Sequence, residues 1–292
     1  MEKLLTISGI DKSYRNKKVL SGLELTIEPG KIYGLIGRNG AGKTTLLSIM
    51  TGQNRPDAGS VTYGGEPVWE NRHALDAICF SRELSSPWFS GQNSYRASFF
   101  LRAAADFYPR WDNTYAEQLL KEFDLDPRKR LSALSKGQIS ALAIIIALAS
   151  KAPVTILDEP VSGLDVVMRE KFYALLLDDH INTGRSFIVS THIIEEAADV
   201  FEEVIILDEG KIIEKAPTEE LIAQFAFLSG RADLVDCSAQ GLTILSSHTL
   251  GLHKTLAVRG ITPDYTPCAD VDISPMSLQN VFVTLCGHED KM

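Results

Sequence analysis

The sequence contains little cysteine and no cysteine pair at short spacing. Its four cysteines, Cys79, Cys237, Cys268 and Cys286, are spread along 292 residues without a C-x-x-C motif. This spacing does not fit a zinc site or a disulfide framework. A reducing compartment is therefore the simplest setting for the chain.

Long apolar runs and dense basic blocks are also absent. The longest apolar stretch, Ala141 to Ala149, is too short to span a bilayer, and the first residues lack the apolar segment of a secretion signal. We expect neither a transmembrane helix nor a signal peptide, so any membrane role depends on a partner. The net charge is −9, and the densest basic cluster is only Arg128 to Arg130, which speaks against a nucleic-acid partner.

The composition is that of an ordinary globular protein. Hydrophobic residues make up 45% of the chain and charged residues 23%. The length of 292 residues allows one large domain, or one domain with a smaller one beside it.

A glycine-rich stretch matches a phosphate-binding loop. Gly37 to Thr44 fit G-x-x-x-x-G-K-[ST], after the apolar run Ile32 to Ile36 and before a helix-like run that ends at Met50. Glycines let successive backbone N–H groups turn toward one anion, and the helix N-terminus adds its positive end. Lys43 is placed to reach the outer phosphates, and the Thr44 hydroxyl to ligate Mg²⁺. The motif predicts nucleoside triphosphate binding; a plain glycine-rich turn is the alternative.

Two acids end a second apolar run. Val154 to Asp158 are followed directly by Glu159, and charges at the end of a core strand usually have a partner. Beside a phosphate loop, Asp158 is placed to hold Mg²⁺ through water and Glu159 to polarise an attacking water. A polar strand cap is the alternative. His192 follows the next predicted strand, Ser186 to Ser190, where a parallel sheet returns to the same edge.

Helical spacing dominates the segment before these acids. Ser94 to Phe107 and Tyr115 to Phe123 predict two helices, and Leu134 to Gln138 precede a longer apolar helix. Near the N-terminus, Tyr14 falls in a predicted turn between two strands. An aromatic ring there can stack on a nucleotide base, or it is simply a surface tyrosine.

Together these motifs resemble the ATP-binding subunit of an ATP-binding cassette (ABC) transporter over residues 1 to about 215. The resemblance implies a P-loop NTPase of the α/β class, with a RecA-like core, an antiparallel β-subdomain and a helical insertion at about 84–150. It also implies ATP and Mg²⁺ as cofactors, and ATP hydrolysis coupled to transport. The implied residues are Tyr14 for the base; Gly37, Arg38, Asn39, Gly40, Ala41, Gly42, Lys43, Thr44 and Thr45 for the phosphates; Ser135, Gly137, Gln138 and Asp165 for ATP held with a second subunit; Thr44 and Asp158 for the metal; and Lys43, Glu159 and His192 for catalysis.

The same resemblance implies partners. Two such subunits stack head to tail around two ATP molecules, each phosphate loop facing the signature of the other, and a multi-span permease carries the cargo. A homodimer and a pair of unlike cassettes are both open. The chain is then expected at the cytoplasmic face of the cell membrane. We place the permease contact at Leu84 to Ser90, where Pro87, Trp88 and Phe89 form either an exposed apolar contact or simple packing under the insertion.

Two positions depart from the family pattern. The family signature is usually LSGGQ, whereas this chain has Lys136 in the third position, where the side chain either adds a cation beside the phosphates or points to solvent. LSKG signatures with a nearby segment such as Phe107 to Asp112 resemble a bacterial exporter branch associated with antimicrobial-peptide or antibiotic stress. The Q-loop glutamine is missing, and Ser81, Arg82 or Glu83 takes its place.

The remaining residues, 216–292, predict a linker helix (Thr218 to Phe227) and a small α+β accessory domain. Its expected elements are strands at Ala232 to Cys237, Leu242 to Leu245 and Thr255 to Val258, and a closing helix at Ser277 to Cys286. A dimer contact and a regulatory cover are both open as its role.

The leading hypothesis is an ATPase that powers export of a peptide, an antibiotic or another toxic compound through a separate permease. The alternative is a soluble ABC-type ATPase without a transport role, such as a translation or repair factor. The chain has one cassette and no long coiled-coil insert, which favours transport. Glu159 counts against a third hypothesis, a nucleotide-binding regulator that hardly turns over.

Overall fold

The computed structural model describes residues 3–82 and 95–287. Its strands are β1 (Leu5–Tyr14), β2 (Lys17–Ile27), β3 (Ile32–Ile36), β4 (Ala58–Tyr63), β5 (Glu66–Pro67), β6 (Ile78–Arg82), β7 (Val154–Asp158), β8 (Ser186–Thr191), β9 (Glu203–Asp208), β10 (Lys211–Pro217), β11 (Phe225–Arg231), β12 (Thr243–Leu250), β13 (His253–Arg259) and β14 (Val271–Pro275). Its helices are α1 (Lys43–Met50), α2 (Arg72–Leu75), α3 (Ala97–Phe107), α4 (Asn113–Glu122), α5 (Lys136–Ala149), α6 (Val166–Thr183), α7 (Ile194–Ala197), α8 (Thr218–Ala223), α9 (Ala232–Ser238) and α10 (Leu278–Cys286).

A six-stranded sheet carries the candidate site. Its order is β10-β9-β3-β8-β7-β6, and all neighbours are parallel except β10, which pairs antiparallel with β9. The carboxyl ends of parallel strands lie at one edge of a sheet. The residues that follow β3, β7 and β8 therefore meet at that edge.

The central strand β3 shows why this sheet is apolar on both faces. All five of its residues are buried, as expected for a parallel strand covered on two sides. Ile32 and Ile36 face the hydrophobic cluster that contains residues of α5 and α6. Tyr33 and Leu35 face a second cluster, formed with α1 and the antiparallel sheet β2-β1-β4-β5. The predicted α/β fold, with an antiparallel subsheet beside a parallel core, is confirmed.

Helices α3, α4 and α5 lie between β6 and β7 in the chain, as the helical insertion requires. Asp112 caps α4 by accepting a hydrogen bond from the Tyr115 N–H at 2.9 Å. This cap explains why a new helix begins here, after the end of α3 at Phe107. The stretch Ala141 to Ala149 forms the buried part of α5. None of the helices in residues 3–82 and 95–287 combines the length and apolar character needed to cross a membrane.

The C-terminal elements differ from the sequence expectation in two places. Ala232 to Cys237 form the helix α9 rather than a strand, because Leu234, Val235 and Ser238 follow helical spacing and Val235 packs in the small core of this region. The predicted linker helix ends at Ala223, since Phe225 to Arg231 form the strand β11. The third sheet is antiparallel, in the order β12-β13-β11-β14.

The last helix, α10, packs in the large core together with one face of the third sheet. Leu278 and Val281 are buried in the cluster that also contains Ile194 of α7, Phe225 of β11 and Ala257 of β13. The other face of the third sheet has a small core of its own, formed by residues such as Leu228 and Val258. The division of the chain at residue 215 stays a prediction.

Candidate functional site

The phosphate-binding loop joins β3 to α1 in the predicted strand–loop–helix arrangement. Gly40 and Gly42 have φ values of +83° and +110°, a region that disfavours residues with a Cβ. A Cβ on Gly37 would lie 2.4 Å from the Leu207 carbonyl oxygen, so this position has no room for a side chain. The loop is closed by a hydrogen bond from the Ala41 N–H to the Arg38 oxygen at 3.1 Å.

Lys43 lies inside this loop. Its Nζ donates to the Gly37 oxygen at 2.7 Å and to the Arg38 oxygen at 3.5 Å, and the residue is only 7% exposed. Burial lowers the pKa of Lys43, while the charges of Glu159 and Asp158 act in the opposite direction. The ammonium group therefore contacts the loop carbonyls, and the carboxylates of Asp158, at the end of β7, and of Glu159, directly after it, favour its charged form.

The acids and the histidine meet as the sheet topology requires. His192 Nδ1 lies 2.7 Å from Glu159 Oε2. Glu159 has a φ of +52°, a left-handed conformation that is costly outside glycine. Its N–H donates to Ser190 Oγ at 3.1 Å, which helps to hold this backbone in place.

Ser190 is a residue that the sequence analysis missed. Its hydroxyl donates to Asp158 Oδ1, and Ser190 is the register partner of Asp158 across β7 and β8. The residue thus contacts both acids, since it also accepts the Glu159 N–H. A signal was present in the sequence, because a serine directly precedes Thr191 and His192 at the end of an apolar strand.

The oxygen groups assigned to a metal are one carboxylate and one hydroxyl. Asp158 is 5% exposed at the end of β7, and Thr44 is exposed in the first turn of α1, followed by the half-buried Thr45. Hard oxygen ligands of this kind suit Mg²⁺, which usually keeps several waters and takes few protein ligands. The donor set therefore fits this ion.

The signature residues begin α5. Ser135 and Gln138 form a capping box: Ser135 Oγ accepts the Gln138 N–H, and Gln138 Oε1 accepts the Ser135 N–H, both at 3.2 Å. Lys136 Nζ donates to Ser162 Oγ at 3.2 Å, so this cation reaches the loop before α6. A Cβ on Gly137 would lie 2.9 Å from the Gly163 oxygen, which shows how closely the two segments approach.

A cavity of about 380 Å³ lies beside the phosphate loop, and another of about 430 Å³ lies at the signature. Asp165, which caps α6 by accepting the Met168 N–H at 2.9 Å, lines the second cavity. The two linings have no residue in common. The first cavity is also lined by residues that the sequence analysis did not assign to the site: Lys17, Lys18, Val19, Asp208, Glu209 and Gly210.

Tyr14 is the last residue of β1 and not part of a long turn, because Lys12, Ser13 and Tyr14 pair with residues of β2, which begins at Lys17. The ring is 47% exposed, with Lys12 Nζ 5.5 Å from its centroid, and its hydroxyl accepts a hydrogen bond from Asn54. One face of the ring is thus close to a cation.

The Q-loop candidates lie partly within the described residues. Ser81 Oγ donates to the Ala143 oxygen at 3.2 Å, and Arg82 is the register partner of Asp158. Glu83 lies outside the described residues, and so does the predicted permease contact at Leu84 to Ser90, with Pro87, Trp88 and Phe89.

Known proteins resemble this chain over most of its length. The family model described as ABC transporter matches residues 20–162. Nod factor export ATP-binding protein I of Burkholderia thailandensis is 33% identical over 220 residues, 71% of this chain and 69% of that protein. Taurine import ATP-binding protein TauB of Escherichia coli O157:H7 is 32% identical over 218 residues, with coverages of 73% and 84%. ABC transporter ATP-binding protein YtrB of Bacillus subtilis is 25% identical over 222 residues, with coverages of 76% and 75%.

Solved structures agree on the fold. An ATP-binding subunit of an ABC transporter superposes with a TM-score of 0.66 at 24% identity, covering 75% of this chain and 91% of that one. A dimeric ATP-binding cassette in a post-hydrolysis state with ADP and phosphate gives 0.62 at 22% identity, with coverages of 73% and 98%.

Proposed function

This chain belongs to the ATP-binding subunits of ABC transporters, and from that membership we propose that it powers export of a peptide, an antibiotic or another toxic compound through a separate multi-span permease. The observation that carries the ATPase part of the proposal is the contact of Glu159 with His192 at the sheet edge where Asp158 and the phosphate-binding loop also lie. The chain is an ABC-type ATPase and binds ATP; the cargo and the direction are our proposal.

The residues at this edge have complementary roles in the proposed hydrolysis. Lys43 exchanges its bond to the Gly37 oxygen for one to the outer phosphates, which the loop N–H groups also hold. Glu159, oriented by His192, polarises the attacking water. Thr44 and Asp158 would hold Mg²⁺, which would neutralise phosphate charge there.

The proposed site is completed by a second subunit. Ser135 and Gly137 line a cavity that shares no residue with the lining of the phosphate-loop cavity, so one chain offers two half-sites. The N-terminus of α5 supplies a positive helix end for the terminal phosphate of ATP bound on the other subunit. The dimeric relative in a post-hydrolysis state supports this arrangement. A homodimer or a pair of unlike cassettes satisfies it.

A permease contact on the helical insertion accords with its exposed aromatic side chains. Tyr95 and Phe99 are stacked with ring centroids 4.4 Å apart, and Phe107 is 71% exposed. Exposed aromatic groups are typical of protein contacts. We place the chain at the cytoplasmic face of the cell membrane through this contact, with residues 1–215 as the cassette and 216–292 as an accessory segment.

Export is favoured over import by the LSKG form of the signature at Leu134 to Gly137. The names of the relatives support a transporter of either direction, because they include Nod factor export, daunorubicin resistance and taurine import proteins.

Affinity purification from native membranes, with mass spectrometry of the co-eluting proteins, tests the transport proposal. We expect a multi-span membrane protein to co-elute. Recovery with ribosomes or nucleic acid and without a membrane protein would favour the translation or repair alternative. Once the permease is identified, transport of cargo into membrane vesicles tests the direction of transport. An exporter should accumulate cargo in inside-out vesicles when ATP is added outside. Accumulation only in right-side-out vesicles that contain ATP would contradict export.

A further inference from the structure

Two of the four thiols meet in the C-terminal region. Cys237 Sγ, in the last turn of α9, lies 3.2 Å from Cys268 Sγ, in the segment between β13 and β14. The two residues are 31 positions apart in the sequence, so the fold brings them together. No motif in the sequence indicated this pair.

The two sulfurs are also the accessible ones. Cys237 is exposed and Cys268 is partly exposed, whereas Cys79 and Cys286 are buried. Oxidation of cysteine follows thiolate character and access to solvent. An oxidant in solution therefore reaches the Cys237–Cys268 pair before the other thiols.

We propose that Cys237 and Cys268 form a reversible disulfide on reaction with a hydroperoxide such as hydrogen peroxide. This inference is independent of the transport function, because it rests on the geometry of the thiols alone. In a reducing compartment such a bond is transient, as intracellular disulfides of redox-sensing proteins are.

The surrounding contacts hold Cys268 against the end of α9. The Cys268 N–H donates to Ser238 Oγ at 2.9 Å, and the Tyr265 hydroxyl donates to the Ser238 oxygen at 2.8 Å. Two residues of the segment between β13 and β14 are thus hydrogen-bonded to Ser238, the residue next to Cys237. Closing the bond requires the sulfurs to move from 3.2 Å to the roughly 2.05 Å of a disulfide, a small local adjustment.

Access and acidity favour different members of the pair as the first to react. Cys237 is the more exposed residue, whereas hydrogen bonding with Ser238, and then with Cys237, lowers the pKa of Cys268. Both orders of attack lead to the same disulfide, so the proposal does not depend on which thiol reacts first.

The reaction balances in two steps. The thiolate of one cysteine attacks one peroxide oxygen, the O–O bond breaks, and hydroxide leaves and takes up the proton that this thiol lost. The sulfur of the second cysteine then attacks the sulfur of the sulfenic acid; the S–O bond breaks, and the proton of the second thiol leaves with the hydroxyl group as water. Two thiols are oxidised to one disulfide, and the peroxide is reduced to two waters.

The test treats the full-length protein with hydrogen peroxide, alkylates the remaining thiols and maps peptides without reduction. We expect a cross-linked peptide containing Cys237 and Cys268, reversed by dithiothreitol, with Cys79 and Cys286 still present as thiols in the same sample. Absence of that peptide, with both cysteines recovered as thiols or singly oxidised, overturns the proposal, and so does a cross-link to Cys79 or Cys286.

Two matched variants test whether each thiol resolves the other. Cys237→Ser leaves Cys268 without a resolving thiol, and Cys268→Ser does the same to Cys237. At least one of the two variants should accumulate a sulfenic acid that reacts with dimedone, several-fold more than in the unsubstituted protein at the same peroxide concentration. Equal dimedone labelling of both variants and the unsubstituted protein would contradict the proposal.

Discussion

Lys136 and Ser162 join the signature to the loop before α6, through a hydrogen bond of 3.2 Å from Nζ to Oγ. A second bond runs from Ser140 Oγ to the Ser162 oxygen at 2.6 Å. The Lys136 stem passes over Gly163, where a Cβ would lie 2.8 Å from its Cγ. The signature lysine therefore neither points to solvent alone nor lies free beside a phosphate; it ties two loops of the proposed ATP interface together within one chain.

Lys136→Met should reduce ATPase turnover several-fold with a smaller effect on KM. The substitution removes the hydrogen bond to Ser162 that positions the loop before α6, while the phosphate-binding loop is unchanged. Lys136→Arg should recover part of the rate, and Lys121→Met, at an exposed site on α4, is the matched control. Stability should change by at most about 1 kcal/mol, as for other exposed charged groups. Steady-state ATPase kinetics measure the rates; equal kcat in Lys136→Met and Lys121→Met would contradict the positioning role.

Glu159→Gln should bind ATP but lose turnover by roughly 10²- to 10⁴-fold, the usual contribution of a general base. ATP that is bound but not hydrolysed should hold the two subunits together. Size-exclusion chromatography with light scattering at saturating ATP measures this state, and Glu195→Gln, at an exposed site on α7, is the control. A Glu159→Gln protein that stays monomeric under these conditions would contradict the sandwich.

Arg185→Ala should destabilise the fold by about 3–5 kcal/mol, because Asp179 is left in a buried site without its main counter-charge. Both side chains are almost fully buried, and the guanidinium also donates to Thr155 Oγ1 at 3.1 Å and the Leu148 oxygen at 2.9 Å. Arg128→Ala, which breaks the exposed pair with Asp126, should cost no more than about 1 kcal/mol. Urea unfolding measures both; similar losses in the two variants would contradict this difference.

The sequence predicted the meeting of Glu159 and His192, because strand order and parallel pairing place both at one sheet edge. It missed Ser190, since that contact depends on which residues of β7 and β8 stand opposite each other, and motif spacing does not contain register. The contact between Lys136 and Ser162 was equally hidden, because it joins two loops far apart in sequence. The sequence analysis predicted a strand where the structure has the helix α9, because a short apolar run fits both the spacing of a helix and the alternation of a strand.

The packing of α10 leads to the last prediction. Val281 is fully buried in the cluster that also holds Ile194 of α7, two residues after His192, whereas Val283 on the same helix is 57% exposed. Val281→Ala should destabilise the cassette by about 2 kcal/mol, through two lost methyl-sized groups and the cavity they leave. Val283→Ala removes the same groups from a largely exposed site and should cost less than about 0.5 kcal/mol. Urea unfolding followed by tryptophan fluorescence compares them; equal midpoints would mean that α10 does not stabilise the cassette core.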